Sequence, residues 1–345
     1  MLDTVKKLCA LSGVSGWEDE VRDAILLEAM EWADSIETDA MGNLYAYKKG
    51  SKSLDRPVML AAHMDEVGLI VTGYRDEGFL RFQFVGGVDR RVVLGKRVFV
   101  GPCRVPGVIG LKAIHLVPKS ERETVVPRLE DLYIDIGAES EEEARGMVSL
   151  GERGVFDPGV VEFGGGFIKA KALDDRVGCA VLLELLKREL PVDVCCVFTV
   201  QEEVGCRGAV TAANRLCPSF ALALDSTTAA DIGGVEEGRQ VCRLGRGVVI
   251  PFMDGGTVYS PALYRAATRS AEKRGILWQT KELVAGGTDA SSIQRSGGGV
   301  RVLSLSAPLR NIHSPASVGY ISDIMAMPGL CLGILEDYAN GDYDV

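Results

Sequence analysis

Hydrophobic and polar positions along this chain fall into two textures. From Gly16 to Asp34 the apolar positions Trp17, Val21, Ala24, Ile25, Ala29 and Trp32 recur three or four apart behind early acids, which predicts a helix packed on a sheet. Ser35 to Tyr47 predicts two short strands broken by a tight turn at Met41-Gly42-Asn43. Pro57 to Glu66 predicts a buried strand that ends in His63 and Asp65, two apart and therefore on one side of it. Beyond Val67 the helical period nearly vanishes. Short β-like runs at Val67 to Gly73, Phe79 to Val85, Arg97 to Val100, Pro106 to Leu111 and Leu132 to Ile136 are punctuated by Gly and Pro, with one short helical piece at Ser140 to Val148.

After Gly164-Gly165-Gly166 strands and helices alternate again. A strand from Phe167 runs into Asp174 and Asp175 and then into an apolar helix from about Val177 to Arg188. One acid there would cap the helix, but capping does not explain two. Further strands are expected at Val194 to Val200, Phe220 to Asp225, Val248 to Phe252, Leu277 to Val284 and Val300 to Leu305. Helices are expected at Gly208 to Leu216, Pro261 to Arg274, a short one opened by Gly286 to Ala290, and a terminal one from Val318 to Tyr338. The expected architecture is α/β: residues 1–66 with 163–345 form a mostly parallel mixed sheet covered by helices, and residues 67–162 form an inserted small all-β, barrel-like domain.

Composition narrows the functional classes. A formal net charge of -10 and a pI near 5.0 argue against nucleic acid or an anionic membrane as the main partner. The N-terminus lacks the apolar core of a secretory signal, and the apolar runs fall short of the ~20 residues of a membrane span. The nine cysteines form no Cys-x-x-Cys pair, so a zinc ribbon is excluded and a reducing, cytoplasmic setting is expected.

Candidate chemistry sits where apolar strands stop. Val194 to Val200 runs almost straight into Glu202 and Glu203, and adjacent side chains on a strand point to opposite sides, so one could ligate a metal while the other acts as a base. Four more strands end the same way, at His63 with Asp65, Asp174, Asp225 and His313. In a mostly parallel sheet such positions can converge on one edge. Two imidazoles with these carboxylates suffice for two divalent ions, zinc or cobalt, that share a bridging carboxylate, hold a water and polarise a carbonyl. Asp65 can accept a bond from one ring nitrogen of His63 while the other binds metal.

The motifs Ala62-His-Met-Asp-Glu-Val-Gly68, Lys171-Ala-Leu-Asp-Asp-Arg-Val-Gly178, Gln201-Glu-Glu-Val-Gly-Cys-Arg-Gly-Ala209, Gly286-Gly-Thr-Asp-Ala290 and Ile312-His-Ser-Pro315 together resemble those of the tetrahedral and glutamyl aminopeptidases, metallopeptidase family forty-two. The resemblance spans essentially the whole chain. It implies a cytoplasmic dinuclear aminopeptidase that removes N-terminal residues from short peptides with a metal-bridged water as nucleophile. His63 and Asp225 would hold one metal, Glu203 and His313 the other, and Asp174 would bridge them. Glu202 would be the general base with Asp65 behind His63, and Gly287, Thr288 and Asp289 would bind substrate. The resemblance also implies a cis peptide between Asp174 and Asp175, and a dodecamer built from dimers through the inserted domain. Cys206 departs from the family pattern, where a larger apolar residue is expected, and Phe163-Gly-Gly-Gly166 is unusually glycine-rich.

Three other readings compete. Glycoside hydrolysis also uses paired carboxylates, but has no use for the two histidines, and the aromatic content of 6% offers few platforms for sugars. A non-catalytic metal-binding scaffold would tolerate loss of Glu202. A related metal-dependent amidohydrolase acting on acyl-amino acids or small amides would use the same metal pair. His115 is expected to be structural or interfacial, and Arg295, Arg301 and Arg310 are the cations considered for selecting an acidic substrate side chain.

Overall fold

A computed structural model of the chain describes residues 1–120, 122 and 126–344. The early helix is confined to Asp19–Ala29 and is preceded by a second, Leu2–Ala10. The turn at residues 41–43 joins the strands Ser35–Thr38 and Leu44–Lys48, and Asp39 Oδ1 builds it by accepting from the amides of Met41, Gly42 and Asn43.

A large mixed sheet organises the α/β domain. At its centre the strands Val194–Thr199, Val58–His63, Ala221–Thr228 and Val302–Arg310 lie side by side, all parallel. The hairpin of residues 35–48 flanks them antiparallel on one side, and Ser317–Tyr320, Phe167–Ala170 and Val161–Phe163 on the other. These central strands are continuous apolar runs because both faces are covered. Leu173–Leu186 packs with Leu2–Ala10 and Ile321–Ala339, and Arg207–Leu216 packs with Ala290–Gln294, each group also touching the central strands.

Several expected boundaries move for reasons outside local sequence. The strands expected at 248–252 and 277–284 shrink to Val248–Val249 and Trp278–Gln279, which pair with each other and touch the main sheet only at Ser306. The strand expected at 300–305 runs on to Arg310 because its parallel neighbour, Ala221–Thr228, pairs with it over eight residues. The terminal helix starts at Ile321, since Ser317–Tyr320 is taken as a strand between Leu309–Arg310 and Phe167–Ala170.

The inserted segment closes on itself. Gly68–Tyr74, Leu80–Val85, Tyr133–Asp135, Val105–Gly110, Arg97–Val100 and Arg153–Phe156 form a closed barrel with its own core, including Leu69, Val71, Leu80, Val98, Ile109, Ile134 and Phe156. Closure leaves the barrel no free edges of its own to cover. His115 lies exposed in the turn Ile114–Leu116. Among the described residues no helix is long and apolar enough to cross a membrane.

Candidate metal centre

The parallel register sets Thr199 opposite His63 and Asp225 opposite Ser306, so the strands deliver their ends to one edge of the sheet. There His63 Nε2 lies 3.2 Å from Asp174 Oδ1 and 3.9 Å from Asp225 Oδ1. His313, held at φ 55° in the loop after the strand ending at Arg310, places Nε2 3.2 Å from Asp174 Oδ2 and 3.3 Å from Glu203 Oε2. The two oxygens of Asp174 thus face two different imidazoles. One donor atom each from His63, Asp174 and Asp225, and one each from Asp174, Glu203 and His313, lie within 4.8 Å of one another. Nitrogen and carboxylate donors in this number suit a pair of transition ions sharing Asp174.

The two acids at the start of the apolar helix divide their work. Asp175 Oδ1 accepts from the Gly178 amide at 2.9 Å and caps the helical turn, leaving Asp174 for the histidines. The peptide joining them is cis.

Asp65 positions more than an imidazole. His63 Nδ1–H donates to the Asp65 carbonyl at 3.1 Å, with the carboxylate at 3.4 Å, which leaves Nε2 to face the site. The carboxylate meanwhile accepts from Ser15 Oγ at 2.6 Å, the Glu202 amide at 2.9 Å and the Glu203 amide at 3.1 Å. One buried acid therefore fixes both the first imidazole and the loop that carries Glu202 and Glu203. Farther along that loop Gly205, at φ 118°, takes a conformation closed to other residues, and its amide and that of Cys206 donate to the Glu202 carbonyl. Asn43 locks the far side: Oδ1 accepts from Val200 N, and Nδ2 donates to Gly208 O. A Cβ on Gly208 would come within 2.3 Å of that Asn43 oxygen, so the contact requires glycine.

A buried ion cluster lies behind the site. Glu66 accepts from Lys171 Nζ at 2.7 Å, Arg176 Nη2 at 3.2 Å and the Gly13 amide at 3.1 Å. The cations also reach the carbonyls of Leu11 and Leu8. Sequence reasoning passed over Glu66, Lys171 and Arg176, although each lies inside a motif that carries a candidate ligand; an acid and two bases amid apolar runs was the available signal.

Electrostatics at the centre reflect acids crowded in low dielectric. Burial, reinforced by Asp174, raises Glu203 well above the ordinary carboxylate range, and burial with Asp175 and Asp174 does the same to Asp225. Burial opposes charge on Asp174 too, but His313 and His63 outweigh it and hold that pKa low. Burial likewise disfavours a charged His63, yet Asp174 and Asp65 raise its pKa well above normal. Such a balance of imidazoles and acids is what a divalent cation pair would neutralise.

The centre opens into a cavity of about 410 Å³ lined by Glu202, Glu203, Cys206, Thr227, Lys281 and Thr288 among others. Gly87 of the inserted domain and Gly287 also line it. Asp289 sits behind the wall, buried, with Oδ2 accepting the Thr199 hydroxyl at 2.5 Å. None of the three arginines considered for substrate charge lines the cavity: Arg295 and Arg301 are exposed, and Arg310 makes a bidentate pair with Asp231. Lys281, which sequence reasoning missed, stands on the cavity wall.

A family model described as M42 glutamyl aminopeptidase matches residues 42–330. The chain belongs to the M42 family. It is 40% identical over 326 residues to a putative aminopeptidase of Acetivibrio thermocellus, covering 94% of this chain and 95% of that one. Among solved structures, the aminopeptidase APDkam598 of the archaeon Desulfurococcus kamchatkensis is 40% identical with a TM-score of 0.92, over 97% of this chain and 94% of that one. The TET1 peptidase of Pyrococcus horikoshii, described as assembling into a tetrahedron or a large octahedral shell, is 37% identical with a TM-score of 0.85, over 97% and 98%. Membership of the M42 family and the two donor sets around Asp174 make this chain a dinuclear metal-dependent aminopeptidase.

Proposed function

We propose that the enzyme removes acidic N-terminal residues from short peptides, with His63 and Asp225 holding one zinc or cobalt ion, Glu203 and His313 the other, and Asp174 bridging. The carrying observation is that Asp174 turns one oxygen to each imidazole while Glu202 stays outside both donor sets on the cavity wall. The ions, when bound, supply Lewis acidity that activates water and polarises the scissile carbonyl. Glu202 takes the proton released in the attack and delivers it to the leaving amine nitrogen. Asp65 holds His63 in the tautomer that presents Nε2 and fixes the Glu202 backbone, so a base and a ligand are positioned by one carboxylate. Chelation abolishes activity, and reconstituted active protein carries two ions per chain by elemental analysis; active protein with no bound transition metal would sink the reading. No phenylalanine, tyrosine or tryptophan lines the cavity among the described residues, which disfavours a glycosidase.

Substrate charge follows from Lys281. It is buried, its Nζ donates to the Ala285 carbonyl at 2.8 Å, and no acidic side chain pairs with it among the described residues. Burial lowers its pKa, opposed by Asp254 and Asp225. An ammonium has three donors, so two remain for a substrate carboxylate. Hydrogen bonds to charged groups contribute about 1.5 to 3 kcal/mol, so Lys281→Met lowers the rate on glutamyl relative to leucyl anilide by about 10- to 100-fold. An unchanged ratio would remove the proposed acidic preference and leave the metal chemistry standing.

Assembly is assigned to the inserted domain, residues 67–162, which contributes Gly87 to the cavity and none of the proposed ligands. Its surface carries Ile114 and Leu116 at 61% and 57% exposure, with Leu94, Val108 and Leu150 also exposed, apolar side chains that contact between subunits would cover. We place the chain in a homo-oligomer of twelve, read by light scattering; a native monomer would overturn that. Nine free cysteines, mostly buried, support a cytoplasmic location.

A further inference from the structure

A third group of donors lies at and behind the wall of the same cavity and belongs to neither metal set. One atom from each of Glu202, Cys206 and Asp289 lies within 4.8 Å of the others. Cys206 Sγ is 3.3 Å from Glu202 Oε1 and stands on the cavity wall, held by a left-handed φ of 52° just before the helix Arg207–Leu216. Asp289 is 2% exposed, and its Oδ1 is buried with no hydrogen-bond partner, Oδ2 alone being taken by Thr199. An ionised carboxylate oxygen only accepts, and leaving it buried without a donor costs about 1 to 3 kcal/mol or more. A cation answers that vacancy of donors, and a thiol between two carboxylates decides which kind.

We propose that Glu202, Cys206 and Asp289 form a further cation site, selective for a thiophilic divalent ion such as cadmium or excess zinc, whose filling inhibits the enzyme by occupying the Glu202 carboxylate. Ligation replaces the S–H bond of Cys206 by a sulfur–metal bond and releases the proton to solvent. Thiolate favours zinc and cadmium over magnesium or manganese, and the His and carboxylate sets around Asp174 contain no sulfur, so a sulfur signature reports this site alone. The inhibitory half rests on the role given to Glu202 above; the binding half does not.

The test uses protein loaded with two equivalents of zinc in a Cys103→Ser, Cys217→Ser background, which removes the two exposed thiols. Cadmium is then titrated while the thiolate-to-cadmium charge-transfer band, bound zinc and bound cadmium are read, with peptidase rate alongside. The expected result is one cadmium bound without loss of zinc, a saturating band, and activity that falls with the same curve. Cys206→Ser keeps the two zinc ions, loses the band, and weakens the added ion at least about tenfold. Asp289→Asn keeps the thiol and weakens the ion as well. A band that persists in Cys206→Ser, or no added ion in the parent, would overturn the site. Binding with full activity would overturn its inhibitory role, whereas a band in protein with no peptidase activity would instead count against the function proposed above.

Discussion

Glu202→Gln keeps two ions per chain while turnover falls at least about 100-fold, the usual scale for losing a general base. The amide preserves the shape of the side chain, and the loop beneath it is held through the backbone: the Glu202 and Glu203 amides donate to Asp65, and the Glu202 carbonyl accepts from Gly205 and Cys206. Nothing in that scaffold depends on the charge removed. Glu203→Ala and His313→Ala behave differently, because each deletes a donor from the set shared with Asp174, and both lose metal before they lose anything else. Elemental analysis and kcat measured on the three variants separate the roles; equal metal loss in all three would contradict the division between neighbouring glutamates.

Glu66→Ala destabilises the fold by about 3 to 5 kcal/mol, because it strands Lys171 and Arg176 without a counter-charge in the interior. Both cations are fully buried and retain only the carbonyls of Leu11 and Leu8 among the hydrogen bonds they make beyond Glu66. The Gly13 amide loses its acceptor in the same step. Urea unfolding reads the change as a lower midpoint at unchanged slope. Glu66→Gln keeps an acceptor for these donors and falls between the two, and a loss under about 1 kcal/mol in the alanine variant would show that water or a rearranged neighbour replaces the carboxylate.

The glutamates, histidines and aspartates of the centre were legible because each closes an apolar strand or opens a helix, where a charged side chain has no packing reason to be. Glu66 and Lys171 were passed over beside them since a single charge next to a candidate ligand carries no pattern of its own. Lys281 was missed for a related reason: the segment expected as one strand from Leu277 to Val284 pairs only at Trp278–Gln279, and the remainder bends round the cavity. Alternation along that segment gives no sign of the bend. The closed barrel was visible as a run of short strands, yet Arg153–Phe156, the strand that closes it, is four residues with a glycine and has no local signature.

By itself the sequence determined the two textures of the chain, the apolar strands and helices of the α/β domain, and the set of metal-competent side chains at their ends, because period and composition respond to the backbone geometry within a few residues. Tertiary structure alone decided how those side chains are shared: that one oxygen of Asp174 meets each imidazole, that Asp175 caps a helix, that Asp65 serves His63 and two amides at once, and that Lys281 rather than an arginine enters the cavity. Apart from the local Asp175 cap, those assignments depend on strand register and loop path, which are set by packing between segments far apart in sequence, as between His63 and Asp174, 111 positions apart, and no local period encodes them.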